Sequence, residues 1–237
     1  MERSFIDTTI RDNLERIRDR MTDACIAAGR DPGEVTLLAV TKTVDAQRIN
    51  AAIRHGVKEI GENRVQEFLG KRDTLDLTDV KAHLIGHLQT NKVRQIVGKV
   101  QMIQSVDSLR VAESIDRCSR ELGIVTPVLV EVNIGGEEAK SGLSPENLEE
   151  LLTKIAPLKG LEVHGLMTVP PILYTEGEKR EIFSKMYQLF VDIKDKKIDN
   201  ISMQILSMGM SGDYYEAILE GSTMVRVGSA LFGGRQY

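Results

Sequence analysis

A lysine at the end of a buried-strand pattern carries the most reactive amine that the sequence offers. Residues 35–42 are mostly β-branched and apolar, and they end at Lys42 just before a predicted helix. An amine at the rim of a core loses solvation, which lowers its pKa and makes it competent to form a Schiff base with a carbonyl compound. A single lysine more commonly extends its ammonium group into solvent. The rest of the chain must decide between a covalent anchor and a surface lysine.

Small residues follow two later strand patterns, and they are suited to holding an anion. The segment after the seventh strand contains Ser207, Gly209 and Ser211, and Gly228 and Ser229 follow the eighth. Glycine lets backbone amides approach an anion closely, serine hydroxyls donate to it, and a helix N-terminus adds a favourable dipole. Either segment alone is typical of an ordinary turn. Together, in neighbouring loops, they predict a phosphate site.

Two polar side chains are expected near these segments. Arg226 alternates with valines in the last strand and is predicted to point into the core, where an unpaired charge is costly. It would therefore contact a ligand or pair with Glu62 or Glu131, and the sequence favours neither. Asn63 follows the second strand and is expected either to cap the next helix or to donate to a ligand.

The elements that position these residues alternate regularly along the chain. Each strand after the first is preceded by a helical pattern, and no linker or low-complexity segment interrupts the series. The fold class predicted is α/β, a single (β/α)8 TIM barrel over residues 1–237 with an extra N-terminal helix in residues 1–33. An open doubly wound sheet would need a glycine-rich turn after the first strand, where Lys42 stands instead. The predicted strands span residues 35–42, 57–61, 82–86, 101–105, 127–133, 161–167, 202–206 and 224–228.

Composition excludes several classes of function. The net charge of -4 gives no basic footprint for nucleic acid or an anionic membrane. Cys25 and Cys118 have neither metal-site spacing nor a disulfide framework, so a reducing compartment and no metal are expected. The N-terminus lacks a signal-peptide pattern, and no segment is apolar for long enough to span a bilayer. A cytoplasmic protein is expected, without membrane or nucleic-acid partners.

Several ordered motifs give the chain a resemblance to a known family. Taken together, they resemble those of the pyridoxal phosphate homeostasis proteins, single-domain relatives of the alanine racemase N-terminal barrel. The match extends from about the first strand to the C-terminus. The motifs are Leu38-Ala-Val-Thr-Lys42, Gly61-Glu-Asn63, His83-Leu-Ile-Gly86 with Leu88-Gln89 and Asn91-Lys92, Gly165-Leu-Met167, Leu206-Ser-Met-Gly-Met-Ser211 and Val225-Arg-Val-Gly228.

The resemblance implies a role for each candidate residue. Lys42 would form an internal aldimine with pyridoxal 5'-phosphate (PLP), Arg226 would face the pyridine nitrogen, and Asn63 would lie near the ring. The phosphate would be held by Ser207, Gly209, Ser211, Gly228 and Ser229.

The same residues bear on whether the protein turns over a substrate. Arginine is permanently protonated and does not give the pyridine nitrogen a proton, so PLP beside Arg226 is a poor electron sink. A racemase also needs a second base, which alanine racemases take from an additional C-terminal domain, and no such domain is expected after Tyr237. We therefore expect a non-catalytic PLP-binding protein that acts in PLP homeostasis and delivery.

Two other functions stay open at this point. A weak PLP-dependent amino acid racemase would use Lys42 with a residue such as His87. A Schiff-base aldolase without a cofactor would have no use for the phosphate loops or for an inward arginine. The partners expected of a PLP carrier are PLP itself and PLP-dependent apo-enzymes, with the chain as a monomer or weak dimer.

Overall fold

Eight parallel strands close into a barrel in which each strand pairs with its neighbours in sequence. The computed structural model describes residues 2–137, 141–170 and 175–234. The barrel closes where β1 pairs with β8, with Leu38 opposite Arg226. The strands are β1 (Thr36–Val40), β2 (Glu59–Glu62), β3 (Lys81–Leu84), β4 (Met102–Val106), β5 (Thr126–Glu131), β6 (Leu161–Met167), β7 (Ile201–Met210) and β8 (Met224–Val227).

Helices connect the strands and cover the outside of the barrel, which confirms the predicted fold class. A parallel pair of strands needs such a crossover, and the apolar stripe of each helix packs on the outer face of the sheet. The helices are α1 (Glu2–Ala27), α2 (Ala46–Arg54), α3 (Val65–Lys71), α4 (Val93–Ile96), α5 (Leu109–Glu121), α6 (Leu148–Ile155), α7 (Glu176–Lys196), α8 (Tyr214–Leu219) and α9 (Ser229–Phe232).

The first helix precedes the barrel and packs against its wall. Ile10, Leu14 and Ile17 recur at three- and four-residue spacing and are buried against α2, α8 and α9. The Nδ2 atom of Asn13 donates to the carbonyl of Leu231 over 2.9 Å, so the helix is also tied to the segment after β8. The helix lies within the predicted residues 1–33.

Side-chain alternation separates the inside of the barrel from its outer wall. In β8, Val225 and Val227 belong to the large core between sheet and helices, whereas Met224 packs with Leu38 on the inner face. Arg226 therefore points inward, as the alternation predicts, and only 3% of its surface is exposed.

Two of the strand boundaries that differ from those predicted affect the placement of candidate residues. The first strand ends at Val40, so Lys42 stands in the turn that follows it. The seventh strand continues to Met210, because its pairing with β8 resumes after a register shift and places Met210 opposite Arg226.

Three further findings bear on the functions that composition excludes. No helix in residues 2–137, 141–170 and 175–234 is long and apolar enough to cross a membrane. Cys25 and Cys118 are both buried, and neither forms a disulfide. Within the same described ranges, no cluster of three or more His, Cys, Asp or Glu side chains could hold a metal ion.

We predict that Gly165→Ala will destabilise the barrel strongly. Gly165 has a φ of +150°, and a Cβ there would lie 1.8 Å from the carbonyl oxygen of Ile205. Backbone strain and overpacking should together lower the free energy of unfolding by about 2–5 kcal/mol in chemical denaturation. The control is Gly177→Ala in α7, where a Cβ would have no atom within 4 Å. This substitution should be neutral or slightly stabilising. Equal stability of the two variants would contradict the prediction.

Candidate functional site

The predicted site residues gather at one end of the barrel, where the carboxyl ends of the parallel strands meet. Lys42 follows β1, Asn63 follows β2, and Ser211 and Gly228 follow β7 and β8. In a (β/α)8 barrel this rim is where catalytic and binding groups converge, because the loops that leave the strands surround one shallow depression. Arg226 joins them from the inner face of β8.

The turn that carries Lys42 is tightly constrained. Thr43 has a φ of +61°, a left-handed conformation that few residues other than glycine adopt. The N–H of Val44 donates to the carbonyl of Thr41 over 3.1 Å and closes the turn. The side chain of Lys42 is half-buried at this position. The backbone therefore presents the amine from a fixed point on the rim.

A second lysine braces this turn from below. The Nζ atom of Lys71 donates to the carbonyl of Thr41 over 2.8 Å and lies 2.5 Å from Glu62 Oε2 and 3.1 Å from Glu67 Oε1. Glu67 Oε1 also accepts from the N–H of Thr43 over 2.5 Å. Burial raises the pKa of Glu62, although the contact with Lys71 opposes that shift. The Lys71 brace thus couples α3, β2 and the turn of Lys42.

Asn63 is not the cap of the helix that follows it. The N-cap of α3 is Arg64, which makes no side-chain capping bond. The Oδ1 atom of Asn63 is buried without a hydrogen-bond partner. Gly86 allows the third loop to approach closely, since a Cβ there would lie 2.3 Å from the Asn63 carbonyl oxygen. An unsatisfied buried acceptor is costly, so this atom is placed to receive a ligand donor.

Protein groups inside the barrel hold the guanidinium group of Arg226. Its Nη1 donates to Ser207 Oγ over 2.7 Å, and its Nη2 donates to the carbonyl of Thr168 over 2.7 Å. Burial lowers the pKa of Arg226 to about 10, against the opposing charges of Glu131 and Asp213. Arg226 therefore stays protonated at neutral pH. Sequence analysis missed Thr168, because the contact uses a backbone carbonyl that any residue supplies.

A chain of hydrogen bonds continues from Arg226 across the barrel. Ser207 Oγ donates to Gln104 Oε1 over 2.8 Å, and Gln104 Nε2 contacts His83 Nδ1 over 2.8 Å and Met224 Sδ over 3.1 Å. Because the amide nitrogen is a donor, His83 Nδ1 must accept, which places the proton of the neutral ring on Nε2. Burial lowers the pKa of His83 to about 3, so the ring stays neutral. We call this series the interior chain.

Ser207 therefore does not lie where a phosphate ligand was predicted to bind. Its hydroxyl is fully buried and bonded on both sides, to Arg226 and Gln104. The register of β7 is the physical reason, because the strand extends past Ser207 and turns that side chain inward. Gly209 lies in the last part of β7 with a φ of +91°, and a Cβ there would meet Ala217 at 2.5 Å.

The other three small residues lie where the predicted phosphate loops meet. The Oγ atom of Ser211 accepts from the N–H of Gly228 over 3.1 Å and from the N–H of Ala230 over 3.2 Å. Ser229 is exposed and begins α9. Two backbone N–H groups thus converge on one oxygen, which is the donor geometry that an anion oxygen requires.

The acidic side chains of Glu131 and Asp107 also lie at this rim. Glu131 ends β5 and is buried, and its Oε2 atom has no hydrogen-bond partner. Burial and the nearby charge of Asp107 raise the pKa of Glu131 to about 7, with Arg226 opposing. In the described ranges neither Glu131 nor Glu62 forms an ion pair with Arg226, so that interpretation of the arginine does not hold. His87 is half-exposed, with Nδ1 3.2 Å from Asp107 Oδ2.

Comparison with proteins of known sequence identifies close relatives. The family described as "Alanine racemase, N-terminal domain" matches residues 8–236. A protein of Aquifex aeolicus named pyridoxal phosphate homeostasis protein is 43% identical, over 95% of this chain and 98% of its own length. The protein of that name from Escherichia coli K12 is 39% identical, over 95% of this chain and 96% of its own.

Solved structures agree with the sequence relatives. PipY of Synechococcus elongatus with PLP bound is 33% identical and has a TM-score of 0.83, covering 94% of this chain and all of that one. Alanine racemase of Clostridium difficile has a TM-score of 0.74 at 17% identity, covering 97% of this chain and 58% of that one, which shows a shared fold. By sequence and structure, the chain belongs to the family of the pyridoxal phosphate homeostasis proteins, whose barrel is the alanine racemase N-terminal domain.

Proposed function

We propose that this protein binds PLP covalently through Lys42 and holds it for delivery to PLP-dependent apo-enzymes without turning over a substrate. The observation that carries the proposal is the placement of Lys42 and the inward, protonated Arg226 on one rim of the barrel. The PLP-bound PipY structure supports the cofactor, and the names of the relatives support a role in homeostasis.

The rim residues fit PLP in charge and in hydrogen-bonding capacity. PLP carries an aldehyde, a ring nitrogen, a ring hydroxyl and a phosphate. The rim offers an amine on Lys42, a cation on Arg226, the unpartnered acceptor of Asn63, and the two N–H groups that converge on Ser211 Oγ. Each chemical group of the cofactor therefore has a complementary group on the protein.

The roles we propose follow from those positions. Asn63 would lie beside the ring, and Arg226 would face the ring nitrogen. Gly209, Ser211, Gly228 and Ser229 would form the phosphate site, with Ser211 Oγ giving up its two N–H donors. Ser207 is instead a positioning residue, because both of its hydrogen bonds serve the interior chain.

The protonated state of Arg226 supports a carrier function over aminotransferase-style turnover. When bound, PLP supplies an aldehyde for amines and an electron sink that works best with a protonated ring nitrogen. Arg226 is a donor only, and it stays protonated at neutral pH despite its burial. It would offer the ring nitrogen a hydrogen bond but no proton, which disfavours aminotransferase-style carbanion chemistry, whereas a racemase could tolerate it but would need a second base.

A weak PLP-dependent amino acid racemase is the alternative. The contact between His87 and Asp107 favours it, since a carboxylate that orients an imidazole is the usual support for a general base. The pair lies on the same rim as Lys42. We propose the carrier function first, because half of the His87 side chain is exposed to solvent, where no wall fixes it against a substrate.

We propose a cytoplasmic location and a monomer or weak dimer. The two buried thiols, Cys25 and Cys118, support a reducing compartment such as the cytoplasm. A carrier that gives its cofactor to apo-enzymes needs an accessible rim, which a monomer or a weak dimer provides.

We predict that PLP added to the purified protein will be trapped on Lys42 by borohydride. Peptide mapping should place the reduced adduct on Lys42, and Lys42→Ala should lose both the adduct and the yellow absorbance. The matched control is Lys99→Ala, which removes an exposed lysine after α4 and should leave both unchanged. An adduct spread over surface lysines would return Lys42 to the role of a solvated side chain.

Substitution of Ser207 and of Ser211 should have different effects on recognition of the phosphate group. Ser211→Ala removes the side chain at the proposed phosphate site and should lower the preference for PLP over pyridoxal by about fivefold to tenfold. Ser207→Ala should leave that preference intact and instead shift the absorbance of the bound cofactor through Arg226. Spectroscopic titration with PLP and with pyridoxal measures both. The same loss of preference in both variants would contradict the assigned roles.

We also predict no substrate turnover by the PLP-loaded protein. In heavy water, the α-proton of L-alanine should exchange no faster than with an equal concentration of free PLP, as followed by proton NMR. Exchange that depends on Lys42 and falls in His87→Phe would instead establish the racemase.

A further inference from the structure

A cavity of about 310 Å³ opens at the opposite end of the barrel from Lys42. Its wall includes the first residues of β1, β3 and β4, which mark the amino-terminal end of the sheet. Volumes of roughly 300–1,000 Å³ are typical of small-molecule sites. The proposed cofactor function makes no use of this end.

Unpartnered polar atoms are concentrated in residues that line this cavity. Glu59 Oε2 and His83 Nε2 are buried, lie 3.4 Å apart and make no aligned hydrogen bond. His83 is 2% exposed. The Nε2 atom of His164 is also buried without a hydrogen bond, although it lies 3.0 Å from Glu162 Oε2. At the other end of the barrel, the unpartnered atoms of Asn63 and Glu131 mark the candidate cofactor site.

The interior chain fixes what these atoms offer. Because Gln104 donates to His83 Nδ1, the Nε2 atom of His83 carries a proton and is a donor. Glu59 Oε2 is an acceptor, and its other oxygen, Oε1, lies 3.4 Å from Lys81 Nζ. Burial raises the pKa of Glu59, and Lys81 opposes that shift. The cavity therefore presents a donor and an acceptor 3.4 Å apart, with the Lys81 cation 3.4 Å from the second carboxylate oxygen of Glu59.

Charge balance narrows the class of ligand. A simple anion would be repelled by the carboxylate of Glu59, and a simple cation would be repelled by the ammonium group of Lys81. A molecule with an ammonium and a carboxylate on the same carbon atom satisfies both, because its ammonium donates to Glu59 and its carboxylate accepts from His83 and Lys81. The rest of the wall is partly apolar and would contact a short hydrocarbon side chain: Met102, Pro127, Ile205 and Met224.

We propose that this cavity is a second small-molecule site, and that it binds a zwitterionic α-amino acid with a small aliphatic side chain through Glu59, His83 and Lys81. The ligand replaces the poorly aligned contact between Glu59 and His83 with two aligned hydrogen bonds. The site shares no residue with the Lys42 rim, so this proposal can be tested independently of PLP binding.

Saturation-transfer NMR and calorimetry on the full chain test the proposal with L-valine as the probe. We expect a dissociation constant on the order of 1 mM, as suits so small a ligand. Isobutyrate lacks the ammonium and isobutylamine lacks the carboxylate, and each should bind at least tenfold more weakly. Lys42→Ala should bind L-valine as the unchanged protein does, which separates this site from any reaction at the cofactor.

Substitutions then locate the site. Glu59→Gln should weaken L-valine binding about tenfold or more, since a charged acceptor becomes neutral. Lys81→Met should also weaken L-valine binding. Because the Lys81 side chain is largely exposed, this variant provides a second test if Glu59→Gln folds poorly. Glu121→Gln, on the surface of α5, is the matched control and should change nothing. No detectable binding, equal binding of isobutyrate, or binding that depends on Lys42 would each overturn the proposal.

Discussion

The buried guanidinium group of Arg226 is the constraint on which the inside of the barrel depends. A positive charge that is 3% exposed must be solvated by the protein, and no aligned ion pair does so in the described ranges. A serine hydroxyl and a backbone carbonyl accept hydrogen bonds from its N–H groups instead. That arrangement sets the orientation of Gln104 and the tautomer of His83, so one charge orders a series of neutral groups from the rim towards the opposite end.

The rim depends in a similar way on a second, partly buried cation. Lys71 connects the carboxylates of Glu62 and Glu67 to the turn after β1, and it thereby converts a flexible connection into a fixed support for Lys42. Lys71 contacts several acceptors and has a structural role, and the turn that it supports carries Lys42 at the carboxyl end of β1.

Local patterns were sufficient to predict the fold and the general location of the site. The apolar runs and helical periods predicted all eight strands, and the alternation in β8 predicted the inward side chain of Arg226. The position of Ser207 was not predictable, because the sequence does not distinguish a serine in a loop from a serine in a strand when the end of β7 is unknown. Gln104 was missed because its partner Ser207 is 103 residues away, and only the closure of the barrel brings them together.

The pairing of β1 with β8 determines when the protein becomes competent to bind. Lys42 follows the first strand and Arg226 lies in the last, and Leu38 lies opposite Arg226 in the seam that joins these two strands. During synthesis on the ribosome, the amine therefore emerges long before the cation that would face the same ligand. A nascent chain has an open sheet edge until β8 arrives, and long-range closure of this kind is slow relative to local helix formation. The candidate site is therefore complete only in the closed barrel, because an incomplete chain carries Lys42 without the strand that carries Arg226.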